Sequence, residues 1–336
     1  MKKVILLIII MFIYQITINA EKKFQLDLIH PQLIKVDNKK IYIVEREKIH
    51  IYSLKPFKKI LSFGKKGEGP GEFRVHPGTP IMLSLVKDNI IAQTGGSVYY
   101  YDKTGKYIKE RKIHGQFIAS MKSVGNNFIG LSYGNKDKKR LMKILLLDKE
   151  FKKIKTLAST LDEKQPGQGL VFLSIPQHLY TCYATDNNYS FTSLGKKMSI
   201  KVFDKYGKLI RTISKDYKNL KVSDDYKKRL IKHYKTDPFL KQFFQYLSPI
   251  TIKNYFPAIR DMRVADNKIY AVTYRIKDDK SEVLIFNING NFIRTVYMPI
   301  QEQDIRLFYP YEIKGNKLYQ LVESDDEDFE LIINNI

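Results

Sequence analysis

MRVADNKIYAV, residues 262–272, reads as a β-hairpin: apolar residues, a turn at Asp266-Asn267, then alternating apolar residues. Asp-Asn tolerates the left-handed backbone that a tight hairpin needs. The same pattern recurs as IKVDNKKIYIV (34–44), LSLVKDNIIAQ (83–93), MKSVGNNFIGL (121–131), CYATDNNYSFT (182–192) and YEIKGNKLYQL (311–321). Each copy supplies two strands, A and B.

A second hairpin follows: IHIYSLKPFKKILSF (49–63), VYYYDKTGKYIKERKI (98–113), ILLLDKEFKKIKTL (144–157), IKVFDKYGKLIRTI (200–213) and VLIFNINGNFIRTV (283–296). Asp102, Asp148, Asp204 and Asn287 each begin its turn, and Gly105, Gly207 and Gly290 supply a positive φ. These are strands C and D. The sixth copy has a C strand, FELIINNI (329–336), and no D strand after it. KFQLDLI (23–29) is an alternating strand with no partner of its own. Pairing the two closes a ring and leaves no open edge.

Repeats of roughly 40 residues with four strands each suit a propeller. A sandwich would not repeat one strand order six times. The expectation is all-β: a six-bladed β-propeller over residues 21–336, its last blade closed by the N-terminal strand. One stretch departs from the pattern. Within a helical insert at about 217–256, between blades 4 and 5, Tyr226, Leu230, Ile231 and Tyr234 have helical spacing. Ser223 or Asp224 can cap it, and Phe239, Leu240, Phe243, Phe244 and Leu247 form a second apolar face beyond Pro238. Packing over one propeller face is expected; a membrane or partner contact is the alternative.

Residues 1–20 read as a signal peptide: Lys2 and Lys3, then an apolar run over Val4–Ile16, then Ala20 at the expected cut. An uncleaved anchor is the alternative. The run is short for a membrane span, so no stable transmembrane segment is expected after cleavage. Cys182 is the only cysteine, which excludes an intrachain disulfide and suits a core thiol. The formal net charge is +23. Its lysines are scattered through turns with no arginine- and aromatic-rich groove, so nucleic acid is not the expected partner.

The linker Phe63-Gly64, Gly67, Gly69-Pro70-Gly71, Glu72-Phe73 and Pro77 resembles the connection between consecutive blades in NHL-type repeats. It looks most like the exported bacterial six-bladed β-propeller proteins of that group. Phe256-Pro257-Ala258-Ile259 resembles the same group's entry into a blade. The likeness in blade pattern covers nearly all of the mature chain, while the full glycine signature occurs once, after blade 1. The resemblance implies a TolB-like fold and no single activity, because the group holds binding modules, lyases and hydrolases.

In a propeller the D-to-A linkers ring one mouth of the central channel. His30, His76, His114 and His178 fall in those linkers, before blades 1 to 4. Several imidazoles around one axis are one way to assemble a zinc site; ordinary loop histidines are the other reading. The resemblance bears on this, since peptidylglycine amidating lyases of the wider group hold zinc with channel histidines. Arg260, Asp261 and Arg263 open blade 5, and Tyr309 and Tyr311 open blade 6. Arginine and tyrosine at a mouth suit a carboxylate, phosphate or sugar, or else inter-blade packing. The acidic run Glu323–Glu330 reads as a solvated hairpin tip, with calcium a minor alternative because the ligand order of a calcium loop is missing. No phosphate loop, GxSxG, HExxH or CxxC motif is present. No cofactor follows firmly. The functional expectation is a monomeric, exported periplasmic or cell-surface module that binds a protein, peptide or glycan of the cell envelope. A metal-dependent lyase or hydrolase is the alternative.

Overall fold

The computed structural model describes residues 21–75, 80–115, 117–136, 139–161, 181–186, 188–195, 197–238, 240–244, 252 and 254–336. A first strand, β1 (Lys22–Leu26), precedes six repeats. Blade 1 is β2 (Pro31–Val36), β3 (Lys40–Glu45), β4 (Lys48–Leu54) and β5 (Phe57–Phe63). Blade 2 is β6 (Met82–Val86), β7 (Asn89–Thr94), β8 (Ser97–Asp102) and β9 (Tyr107–Lys112). Blade 3 is β10 (Ile118–Val124), β11 (Asn127–Lys136), β12 (Lys139–Leu147) and β13 (Lys153–Leu161). Blade 4 is β14 (Thr181–Thr185), β15 (Tyr189–Leu194), β16 (Ser199–Asp204) and β17 (Leu209–Ser214). Blade 5 is β18 (Asp261–Ala265), β19 (Lys268–Lys277), β20 (Lys280–Asn287) and β21 (Phe292–Met298). Blade 6 is β22 (Tyr311–Lys314), β23 (Lys317–Glu323) and β24 (Phe329–Asn335), completed by β1.

Each blade is a four-stranded antiparallel meander. The ring closes as the repeat count requires: β1 pairs with β24, Lys22 opposite Ile333 and Leu26 opposite Phe329. Inner strands touch in order, β2 to β6, β10, β14, β18, β22 and back to β2. Burial follows position in the blade. The B strand Ile41-Tyr42-Ile43-Val44 is wholly buried, because both of its faces meet a neighbouring blade, whereas the D strand Phe57–Phe63 has no buried residue. Six apolar clusters result, one at each blade interface. The cluster between blades 6 and 1 includes Leu26 and Leu28, so the closing segment also contributes core.

The C-to-D turns follow the expected chemistry. The side chains of Asp102, Asp148, Asp204 and Asn287 each accept from backbone N–H groups inside their own turns. Gly105, Gly207 and Gly290 have positive φ, and in blade 3 Phe151 takes that conformation (φ 62°). In the glycine-rich linker, Phe73 is fully buried in the core between blades 1 and 2, edge-on to Tyr99 at 5.1 Å. Gly64 has φ 91°, and a Cβ there would lie 2.5 Å from the Phe73 ring and 2.8 Å from the Glu47 carbonyl. The linker is therefore a clasp whose glycines let Phe73 seat.

Helix α1 (Asp224–Thr236) and the single turn α2 (Lys241–Phe244) lie between blades 4 and 5. Ser223 is the cap: its hydroxyl accepts from the Tyr226 N–H. Leu230 and Tyr234 are fully buried, packed with Leu240 against Tyr226, Phe244, Ile252 and Ile305. Tyr226 donates to the Ile305 carbonyl at 3.1 Å and meets Phe256 edge-on. The helix thus packs on the D-to-A linkers entering blades 5 and 6. Phe239 and Leu247 lie outside the described residues.

Candidate functional site

The second residue of each A–B copy is Lys35, Ser84, Lys122, Tyr183, Arg263 and Glu312. The first residue of five of them, Ile34, Leu83, Met121, Met262 and Tyr311, is buried between blades. Strand alternation then sends the second residue the other way. Five of these six side chains, all but Tyr183, line one cavity of about 190 Å³ on the propeller axis. Ala184 and Thr185 line it from blade 4, so all six inner strands contribute. Val36, Thr185, Ala265 and Lys314, the last residues of their strands, are also in its wall, and among the described residues no D-to-A linker residue is. The recess therefore lies toward the A–B turns, whereas the sequence directs attention to the linker mouth. Nearer the strand starts, Tyr183 and Ser120 hydrogen-bond to each other, as do Tyr311 and Asp261 (2.8 Å). Those four residues stand outside the cavity wall.

Most of the channel charges are paired. Lys35 Nζ lies 2.5 Å from Glu312, Arg263 Nη1 2.8 Å from Asp261, and Lys314 Nζ 3.0 Å from Asp266. The Arg263 guanidinium also stacks 4.3 Å from the Tyr311 ring centre. Burial opposes the Arg263 charge, but Asp261, Tyr311 and Glu312 outweigh it and its pKa is raised. Glu312 shows the same contest: burial favours the neutral acid, Lys35 and Arg263 favour the carboxylate, and its pKa is lowered.

Lys122 is different. Among the described residues it makes no ion pair; its ammonium donates to the Tyr183 carbonyl at 2.8 Å and sits 4.6 Å from that ring's centre. Burial first, then the like charges of Arg263 and Lys35, lower its pKa from 10.5 to about 7, against the opposite pull of Asp261 and Glu312. Burial likewise pushes the Tyr183 phenol up to about 12.

Among the described residues Arg263 is thus the one anticipated mouth residue in the cavity wall. Tyr311 is buried and holds Asp261. Arg260 faces elsewhere: it is 7% exposed, lies over the Phe308 ring at 3.9 Å and pairs with Glu302 at 2.5 Å, tying blade 5 to the linker entering blade 6. Tyr309 packs edge-on to Phe329 and reaches Glu323 at 3.4 Å. His30 and His114 are exposed linker residues, and His76 and His178 lie outside the described residues. Among the described residues no three His, Cys, Asp or Glu side chains cluster as a metal site. Cys182 is in β14 opposite Ser193. The acidic run forms the tip between β23 and β24, where the Ser324 N–H donates to the Asp328 carbonyl. Sequence reasoning passed over Lys35, Lys122 and Glu312; the signal that finds them is the polar second position of the repeat.

A second recess of about 260 Å³ adjoins the first at Ser123, between blades 2 and 3. Ile91, Tyr100 and Phe128 give it apolar walls, and Lys109, Arg111 and Lys149 line it with positive charge.

No protein-family model matches the sequence, and no curated protein matches it. Solved structures do. A member of the DUF4221 family from Bacteroides vulgatus ATCC 8482 aligns with TM-score 0.51 at 12% identity, over 94% of this chain and 96% of that one. The β-propeller domain of Cps50 (Swd1) from Myceliophteria thermophila aligns with TM-score 0.43 at 10% identity, over 94% and 100%. A Bacteroides caccae protein of unknown function gives 0.36 at 12%, over 86% and 82%. The DUF4221 match shows a shared propeller. It assigns no activity. Among the described residues no helix is long and apolar enough to cross a membrane.

Proposed function

We propose that this chain is an exported binding module of the cell envelope that holds a protein, peptide or glycan ligand at its channel and does not turn it over. The observation that carries this reading is the cavity to which all six inner strands contribute, with charged side chains in a recess and not a closed apolar core. The basic recess between blades 2 and 3 extends it outward, giving a chain-like ligand room to leave the axis. Export is supported by the apolar run Val4–Ile16 after Lys2 and Lys3, and by the NHL-like linker at Phe63–Pro77. The single-domain organisation over residues 21–336 and a monomeric state belong to the same reading.

The test is calorimetry of the purified chain against a panel of acidic envelope glycans and peptides, with mass spectrometry of the recovered ligand. Saturable binding of an unchanged ligand, abolished when Ser84→Phe fills the recess, is the expected result. A cleaved or rearranged ligand overturns it and moves the account to the lyase or hydrolase alternative.

A further inference from the structure

The channel wall carries four cations, Lys35, Lys122, Arg263 and Lys314, and the carboxylates paired with them are Glu312, Asp261 and Asp266. The fourth cation, Lys122, has one hydrogen-bond acceptor, the Tyr183 carbonyl, among the described residues. An ammonium has three donors, so two of its N–H groups remain for a partner on the cavity side. The hydroxyl residues Ser84, Ser123 and Thr185 share that cavity with it. Its volume of about 190 Å³ is far above the roughly 10–15 Å³ that one water requires.

We propose that the channel cavity is a binding site for a small oxyanion, a carboxylate or phosphate group, anchored by the Lys122 ammonium. The proposal deepens the binding-module reading by naming the chemistry of the group held on the axis. The anion supplies the carboxylate-like partner that the other three cations have and that Lys122 lacks among the described residues. It adds a negative charge in a region where Lys35 and Arg263 also face inward, and a Lys binds such a group as a point charge without demanding one planar geometry.

A consequence is proton uptake. The groups that face Lys122 are Lys35 from β2, Asp261 and Arg263 from β18, Glu312 from β22 and Tyr183 from β14. Without a bound anion, burial and the two like charges favour the neutral amine above about pH 7. A bound oxyanion favours the ammonium, so binding above that pH takes one proton from solvent, and affinity falls as pH rises. No covalent bond forms or breaks.

The experiment is isothermal titration of the purified chain with sodium acetate and, separately, inorganic phosphate. It is run at about pH 6 and about pH 8.5, in two buffers of different ionisation enthalpy, with sodium chloride as the control. The expected result is saturable binding of one or both probes; acetate, which keeps one charge at both pH values, binds at least about tenfold more weakly at the higher pH, with proton uptake approaching one per anion there. Acetate alone binding assigns a carboxylate; phosphate alone assigns a phosphoryl group. Lys122→Met, checked for folding by circular dichroism, loses the binding. Lys122→Arg keeps the charge at both pH values and binds acetate without proton uptake. The proposal is overturned by chloride binding as well as either probe, by absence of saturable binding at both pH values, or by Lys122→Met binding as wild type. If the glycan and peptide panel binds and Lys122→Met leaves that binding intact, this inference fails while the binding-module reading stands.

Discussion

Lys122 is held in the channel at a cost in stability. Its pKa of about 7 in the fold, against 10.5 for a free lysine, means that between those values the unfolded chain carries the proton and the native chain does not. Stability therefore rises with pH across that window and is lower below about pH 7, where both states carry the charge. Lys122→Met removes that penalty and keeps the packing of the stem. We expect urea denaturation at pH 7 to show a gain of about 1–3 kcal/mol, and the rise between pH 7 and 10 to flatten. A loss of stability would mean that the ammonium is well satisfied without a bound anion. Gly64 poses the opposite case. At φ 91°, against the Glu47 carbonyl and the Phe73 ring, Gly64→Ala should cost roughly 2 kcal/mol or more in the same assay. At this scale the sequence was only partly legible. Arg263 stands out because an arginine opens a blade. Lys122 is one of many lysines until its place in the repeat is counted, and which carboxylates the described residues bring near it depends on contacts between blades far apart in the chain.

The elements were more legible, because each rests on local chemistry. Turn residues such as Asp102 and Asp204 satisfy their own backbone, so they mark C-to-D turns without knowledge of the neighbours. The B strands read as apolar runs because they are covered on both faces. Helix α1 was visible in the spacing of Tyr226, Leu230 and Tyr234, and its cap was narrowed to Ser223 or Asp224, of which Ser223 is the one used. What covers its apolar face was not visible: Ile305 and Phe256 reach it from linkers that carry no sequence signal for the contact. Ser223→Ala should destabilise the helix by about 1 kcal/mol. Hydrogen exchange should show this as faster exchange confined to the amides of the first turn, Asp224 to Lys227, with the blade amides unchanged. Faster exchange throughout blades 5 and 6 would mean that the helix is integral to the ring and not laid over it.

The whole molecule depends on closure. β1 supplies the fourth strand of blade 6, and Leu26 and Leu28 lie in the core that joins blades 6 and 1. Removing residues 21–29 exposes both β24 and that core. It should cost several kcal/mol, on the scale of two buried leucines lost together, read as a lower urea midpoint and a broader transition. An unchanged midpoint would show that closure contributes little. Closure also brings Lys35 of blade 1 beside Glu312 of blade 6, within the field that reaches Lys122 from the opposite side of the axis. The ring was inferable because the missing strand and the orphan strand account for each other. The position of the site along the axis was not, since it depends on pairs near the strand starts, such as Tyr311 with Asp261, which only the assembled blades create. Six repeats converge on a lysine, Lys122, that makes no ion pair among the described residues. The direct measurement is an NMR titration of the lysine 13Cε resonances in the intact chain, with Lys122 assigned by its loss in Lys122→Arg. One resonance titrating at about 7 and belonging to Lys122 is the predicted result. Lys122 titrating near 10.5, like a free lysine, would contradict it.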